Sequence, residues 1–243
     1  TKAIRELFPK VFLIENSENQ WFRRAANQGI RKSKGHYVIF LGPDTRLITP
    51  DGLSKMVRYM KTHPQVGILG VKLLDPDGKV QLDCERFIGL GWALCYYFFI
   101  HYLWPTNPVK RRWRYNGWDR QDTRTVDAVS GACMMIRRQV FEQIGLLDER
   151  CRIYCEEADF CRAAHKGGWR VVHLADVEVL HYWRQGGISI TPVNTLAPLI
   201  EESTLHYYRK YYGFLIYCFL LLISRSRHFL LKVMRYIRNY ATK

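Results

Sequence analysis

An α/β fold is what these 243 residues predict: a mixed, mostly parallel sheet flanked by helices, followed by a C-terminal amphipathic helical appendage. Two observations lead there. Short β-rich runs alternate with segments of helical spacing through residues 1–204, the pattern of a sheet with crossover helices. Residues 205–243 differ in kind, with eight Lys/Arg and no acid. The contrast divides the chain into a sheet domain over 1–204 and a basic helical segment over 205–243.

The elements follow in order. Val11-Phe12-Leu13-Ile14 predicts a short buried strand. Gln20 to Lys34 has helical spacing and stops at Gly35. His36 to Leu41 is a β-rich run ended by Gly42-Pro43-Asp44-Thr45, which leaves Asp44 at a strand terminus. Asp51 to His63 is a helix, and Val66 to Leu74 a strand that turns at Asp75-Pro76-Asp77-Gly78. Ile88 to Trp104 is apolar apart from His101 and dense in aromatics; a buried helix and a surface that meets lipid are both open. Thr125 to Ile136 resumes the core around Ser130-Gly131-Ala132, small residues that let another group approach the backbone. Arg137 to Ile144 and Glu156 to Lys166 are helices, the second closed by Gly167-Gly168. Arg170 to Leu174 and Val177 to Leu180 are strands, the latter delivering His181.

In the C-terminal segment, Phe214 to Ile223 is continuously apolar but short for a span. Phe229, Leu230, Val233, Met234 and Ile237 then follow helical spacing, with Arg227, Lys232, Arg235 and Arg238 at other positions. Such a helix suits an anionic membrane interface, and the alternative is a helix packed on the domain.

The formal charge of +15 requires an anionic partner. Nucleic acid is disfavoured, because the basic residues concentrate at the apolar C-terminus and no RNA or DNA module is visible. Seven cysteines without scaffold spacing indicate reduced thiols. Cys151, Cys155, Cys161 and His165 lack the CxxC knuckle of a structural zinc site. The chain opens on Thr1 with no signal peptide and looks entered midway.

Acids are the minority here, yet Asp148, Glu149, Glu156, Glu157 and Asp159 cluster beside apolar residues. Such a knot suits a general base or a metal site, and equally a helix start favoured by its dipole. Helix geometry puts Glu156 and Asp159 on one face and Glu157 about 100° away, so one or two of them can meet a substrate. Asp44 and His181, each ending a strand, are candidate ligands for Mg²⁺ or Mn²⁺.

The ordered series Val129-Ser130-Gly131-Ala132-Cys133-Met134-Met135-Ile136-Arg137-Arg138, Phe141, Gly145, Leu147-Asp148-Glu149, Tyr154, Glu156-Glu157-Ala158-Asp159-Phe160, Gly168-Trp169-Arg170-Val171-Val172 and His181 resembles the family 2 glycosyltransferases of the GT-A fold. The likeness is to bacterial rhamnosyltransferase-like members, over about residues 8–213, without their first two strand–helix units. Asn19, Phe22, Ala25, Asn27 and Phe40 to Thr45 resemble the family's earlier motifs. The resemblance implies a partial GT-A domain with Glu157 as base and Glu156 and Asp159 supporting it. It implies Asn19, Asn27 and Asp44 around the nucleotide donor, Asp44 and His181 on a divalent cation, and Gly131 and Ala132 under the acceptor. The implied activity is inverting transfer of a sugar from a nucleotide diphosphate to a lipid-linked or cell-surface glycan, at the cytoplasmic membrane face. Deoxythymidine-diphosphate rhamnose (dTDP-rhamnose) is the donor it suggests. The alternative is a truncated, non-catalytic membrane-associated relative that acts as a binding protein.

Overall fold

The computed structural model describes residues 2–150, 153–182 and 192–241. Its centre is a six-stranded sheet in the order β1 (Tyr37–Leu41), β7 (Cys133–Arg137), β3 (Val66–Leu74), β8 (Arg170–His181) and β2 (Thr45–Leu47), with β5 (Arg124–Thr125) also pairing β8. β4 (Cys84–Glu85) and β6 (Ala128–Val129) form a small second sheet. The α/β class and mixed sheet match expectation, but the ladders are mainly antiparallel rather than mainly parallel. Among the described residues only β3 and β8 pair in parallel. The cause is β7: β1, β3 and β8 share a direction, and the reversed β7 separates β1 from β3. The two strands expected at 170–180 are one strand with an irregularity opposite Val71 and Lys72.

The strands bury alternate residues on two faces, as a pleat requires. Val38, Phe40, Met134 and Ile136 pack toward α2 (Trp21–Lys32), α7 (Arg138–Ile144) and α8 (Glu156–Lys166), through Ile30, Val140, Phe141, Phe160 and Ala164. Tyr37, Ile39, Cys133 and Met135 pack the other way, on Met56 and Met60 of α3 (Gly52–Thr62).

Val11 to Ile14 is not a strand. It follows the short α1 (Lys2–Leu7) as irregular chain with Val11 and Phe12 exposed, because no described strand offers it a ladder. The apolar run at 88–104 divides at Phe99, whose φ of 60° breaks α4 (Leu90–Tyr97) from α5 (Ile100–Leu103). Ala93 and Tyr97 are buried, whereas Phe98, Tyr102, Leu103 and Trp104 are exposed. The basic run that follows forms α6 (Pro108–Trp113), whose cap is the Asn107 side chain.

The division expected at 204/205 falls inside a continuous helix, α9 (Val193–Tyr212), whose Leu205, Tyr207 and Tyr208 are buried in a cluster with Ala93 and Tyr97. The chain breaks instead at Gly213, with φ 89°, before α10 (Phe214–Ala241). Phe214–Val233 is mostly exposed and, by length and composition, is the one stretch among the described residues able to cross a membrane. Cys151 lies outside the described residues, and Cys84, Cys95, Cys133, Cys155, Cys161 and Cys218 are free thiols.

β6 lies against β3 so closely that a Cβ on Gly70 would stand 2.5 Å from the Cβ of Val129. Gly70→Ala therefore lowers stability by about 1–3 kcal/mol in urea unfolding, as overpacking does. An unchanged midpoint would show that the small sheet shifts freely.

Candidate active site

The carboxyl ends of β1 and β8 and the amino end of β7 meet at one end of the sheet, where ligands of open α/β sheets bind. A cavity of about 940 Å³ opens there. One wall is the small-residue face of α2, with Phe22, Ala25, Ala26 and Gly29; another is β1. The polar end gathers Asp44, Ser130, Gly131, Ala132, Glu156, Glu157 and His181.

The turn after β1 carries Asp44. Thr45 closes it with its hydroxyl on the Gly42 carbonyl at 2.6 Å, and Gly42 N–H donates to Ala132 O at 2.8 Å, which joins this turn to the 130–132 turn. β2 pairs Thr45 with His181, so the imidazole comes beside the carboxylate, with Nε2 3.7 Å from Asp44 Oδ2. Gln81 donates its amide N–H to the His181 carbonyl at 2.9 Å. Its Oε1 is then placed to accept from His181 Nδ1 at 2.8 Å, which leaves the Nε2 lone pair facing Asp44. A carboxylate and an imidazole held from behind in this way are a donor set that fits a divalent cation.

α8 starts after two consecutive left-handed residues, Tyr154 (φ 72°) and Cys155 (φ 59°), a backbone state costing about 1–3 kcal/mol for side chains of this size. The turn sets Glu156 and Glu157 on the helix's first turn, at the cavity. Gly131 N–H donates to Glu157 Oε1 at 3.1 Å, and a Cβ on Gly131 would stand 2.8 Å from that oxygen. Glu156 Oε2 is buried without a protein partner. Burial, and then the charge of Glu157, push the Glu156 carboxyl up from 4.5 to about 8. Burial likewise raises Glu85, on β4, from 4.5 to about 7, against the opposing effect of Arg114.

The other expected site residues point elsewhere. Asp159 is buried away from the cavity, with its carboxylate 2.7 Å from Lys210 and 3.5 Å from Arg23. Asn27 is 1% exposed and spends its amide on both backbone groups of Leu147 and on Glu149. Its helix turns Ala25, Ala26 and Gly29 to the cavity instead. Asn19 accepts the Trp21 N–H at 2.9 Å and borders a separate small recess with Arg24 and Glu149. Asp148 is held by Arg150, His206 and Lys210. Burial alone would raise its carboxyl, but those bonds keep it well below the usual carboxylate range.

Sequence reasoning missed Arg23, which spans this region from α2. Its guanidinium donates to Asp148 O and Tyr154 O at 2.9 and 2.8 Å. The signal was present: Arg23, Asn27 and Ile30 form one buried stripe at helical spacing. Gln81 carried no such signal. A second group of ligand-type side chains, Asp83, Cys84 and His173, is buried at the start of β4 and on β8. There Arg120 already stands 3.4 Å from Asp83 and supplies the positive charge.

The fold and the cavity together define a GT-A glycosyltransferase architecture. The same fold occurs in the structure of GalNAc-T7 with UDP, GalNAc and Mn²⁺, at a TM-score of 0.52 and 16% identity over 74% of this chain and 34% of that one. The chain belongs to glycosyl transferase family 2, whose family profile matches residues 1–145. An N-acetylglucosaminyl-diphospho-decaprenol L-rhamnosyltransferase of Mycobacterium tuberculosis is 28% identical over 192 residues, covering 74% of this chain. The O-antigen biosynthesis protein RfbC of Myxococcus xanthus is 29% identical over 158 residues, covering 64% of this chain. A low-salt glycan biosynthesis hexosyltransferase of Haloferax volcanii is 40% identical over 180 residues, covering 70% of this chain. The chain spans 62%, 12% and 52% of those proteins' lengths, respectively.

The Glu156 carboxyl generates a pH prediction. Between about pH 4.5 and 8 the folded protein keeps a proton that the unfolded chain releases, so stability falls as pH rises through that window. Glu156→Gln removes most of this decline: the variant gains thermal stability over the parent at pH 8 and loses the advantage near pH 4. Parallel melting curves across the whole range would contradict a protonated Glu156.

Proposed function

We propose that the cavity transfers a sugar, with inversion, from a nucleotide-diphosphate donor to a hydroxyl of a lipid-linked or cell-surface glycan. The observation that carries this is the Glu157 carboxylate, fixed by the Gly131 N–H inside the cavity that also presents Asp44 and His181. A sugar hydroxyl is a weak nucleophile near neutral pH. Glu157 accepts its proton as the bond to the anomeric carbon forms on the face opposite the departing diphosphate. Glu156, which keeps its proton near neutral pH, acts as a hydrogen-bond donor beside it, so the pair divides acid and base roles. Asp44 and His181 would hold a Mg²⁺ or Mn²⁺ ion, which when bound offsets charge on the leaving diphosphate as a Lewis acid. Gly131 and Ala132 leave room under the acceptor. The GalNAc-T7 structure contains UDP and Mn²⁺, which supports this donor class. The mycobacterial relative's name supports a rhamnosyl donor such as dTDP-rhamnose and a lipid-diphosphate acceptor. The exposed apolar and basic residues of α10 support attachment to an anionic membrane.

Glu157→Gln is expected to lower transfer by roughly 10²–10⁴-fold with donor binding retained. Turnover near the parent's value would remove Glu157 from this role. Gly131→Ala is a sharper probe, because the intruding Cβ meets only the flexible end of Glu157. Its melting temperature stays within about a degree or two of the parent's, as a change of under 0.5 kcal/mol implies, while kcat falls at least as steeply as kcat/KM. A loss confined to KM would mean that the Gly131–Glu157 contact only binds substrate.

A further inference from the structure

A second recess, of about 240 Å³, lies outside the cavity and is bordered by Pro105, Thr106, Lys110, Arg111, Arg114 and Asn116. Three cations meet there against one acid. Glu85 stands 3.7 Å from Arg114, and no ion pair among the described residues engages Lys110 or Arg111. The chain entering the recess is the exposed tip of α5: Tyr102, Leu103 and Trp104 are 82%, 76% and 54% exposed. Unpaired cations directly beside protruding aromatic and aliphatic side chains match the boundary between phosphate headgroups and acyl chains. α10 packs on the same unit, with Arg227 over the rings of Tyr96 and Phe99, so its exposed Leu222 and Phe229 belong to one assembly with the tip. Arg114 also pairs with Glu85 on β4.

We propose that Lys110, Arg111 and Arg114 bind the phosphate groups of a lipid diphosphate while Tyr102, Leu103 and Trp104 sit in the bilayer that carries it. Identifying that lipid as the acceptor's carrier rests on the glycosyl-transfer reading; the binding site itself does not. A phosphopeptide or nucleic acid would use the cations and leave the apolar tip uncovered, so the lipid source is the one that accounts for both halves of the surface.

The test is flotation of the full chain with phosphatidylcholine vesicles doped with undecaprenyl diphosphate, compared with vesicles brought to the same surface charge by phosphatidylglycerol. The parent is expected to prefer the diphosphate vesicles by on the order of tenfold, and Lys110→Ala/Arg111→Ala to lose the preference while retaining the phosphatidylglycerol binding that α10 provides. Arg111→Glu alone, at an exposed position, is expected to show the same loss and serves if the double variant does not fold. Equal binding to both vesicle types, or a preference that survives these changes, overturns the proposal. Binding of free inorganic pyrophosphate as tight as that of the vesicles overturns the lipid source. Turnover enters none of these outcomes, so failure here is separate from failure of Glu157 as the base.

Discussion

The Arg23 guanidinium is 2% exposed, and a charge so far from water has to be compensated within the protein. Its compensation comes from three places: the Asp148 carbonyl, the Tyr154 carbonyl and the Asp159 carboxylate. Those groups lie on the connection after α7, on the turn before α8 and in α8 itself, while Arg23 lies on α2. One side chain therefore fixes how the helix that walls the cavity sits against the helix that carries its carboxylates. Lys210 extends the arrangement to α9 by bonding Asp159 and reaching Asp148. The geometry of Glu156 and Glu157 depends on this clamp, because the left-handed pair Tyr154–Cys155 is a strained route into a helix and is held by the bond Arg23 makes to Tyr154.

The same clamp accounts for a cluster of acids in a basic protein. Asp159 pairs with Arg23 and Lys210, Asp148 pairs with Arg150 and lies 3.1 Å from His206 Nε2, and Glu149 pairs with Arg31 and accepts from Asn27. Arg150 apart, these acids anchor side chains brought from other elements. Of the described acids between 148 and 159, Glu156 and Glu157 line the cavity. Helical spacing had limited the number of acids that could share a target to one or two. Helix position did not say which, because Glu156 and Asp159 were expected on one face, yet Asp159 turns to Arg23 and Lys210 instead.

Elements with strong local signals were legible in the chain. The β1 run with its Gly42-Pro43-Asp44 stop, α2 ending before Gly35, and α8 closed by Gly167-Gly168 sit within a residue or two of expectation. So was the convergence of Asp44, Gly131, Ala132, Glu156, Glu157 and His181 on one cavity, because the ordered motifs carried them together. Features set by contacts between distant positions were hidden. The direction of β7 depends on which strands it pairs with, and no period-2 pattern encodes that. Val11 to Ile14 has a strand's composition, but a strand is stabilised by its ladder and none is offered. Gln81 matters through two bonds to a residue a hundred positions later, and nothing in its surroundings marks it.

The carboxylate pair also shows why burial and charge must be weighed together. A helix N-terminus favours an anion by about 0.3–1 kcal/mol, which works against a raised carboxyl at Glu156. At Glu156 desolvation and a like charge on the adjacent residue outweigh that contribution, and the carboxyl holds its proton through neutral pH. The Glu157 carboxylate instead accepts the backbone N–H of Gly131, a donor available only where no Cβ intervenes. Two neighbouring residues of one type thus sit in different surroundings, Glu156 Oε2 buried without a protein partner and Glu157 met by a glycine on a facing turn. The asymmetry is what a site needs if one carboxyl is to receive a proton while the other holds one. It is built from the 130–132 turn, which Gly42 ties to Asp44 and His181, so the two glutamates and the Asp44–His181 pair are positioned by the same few backbone bonds.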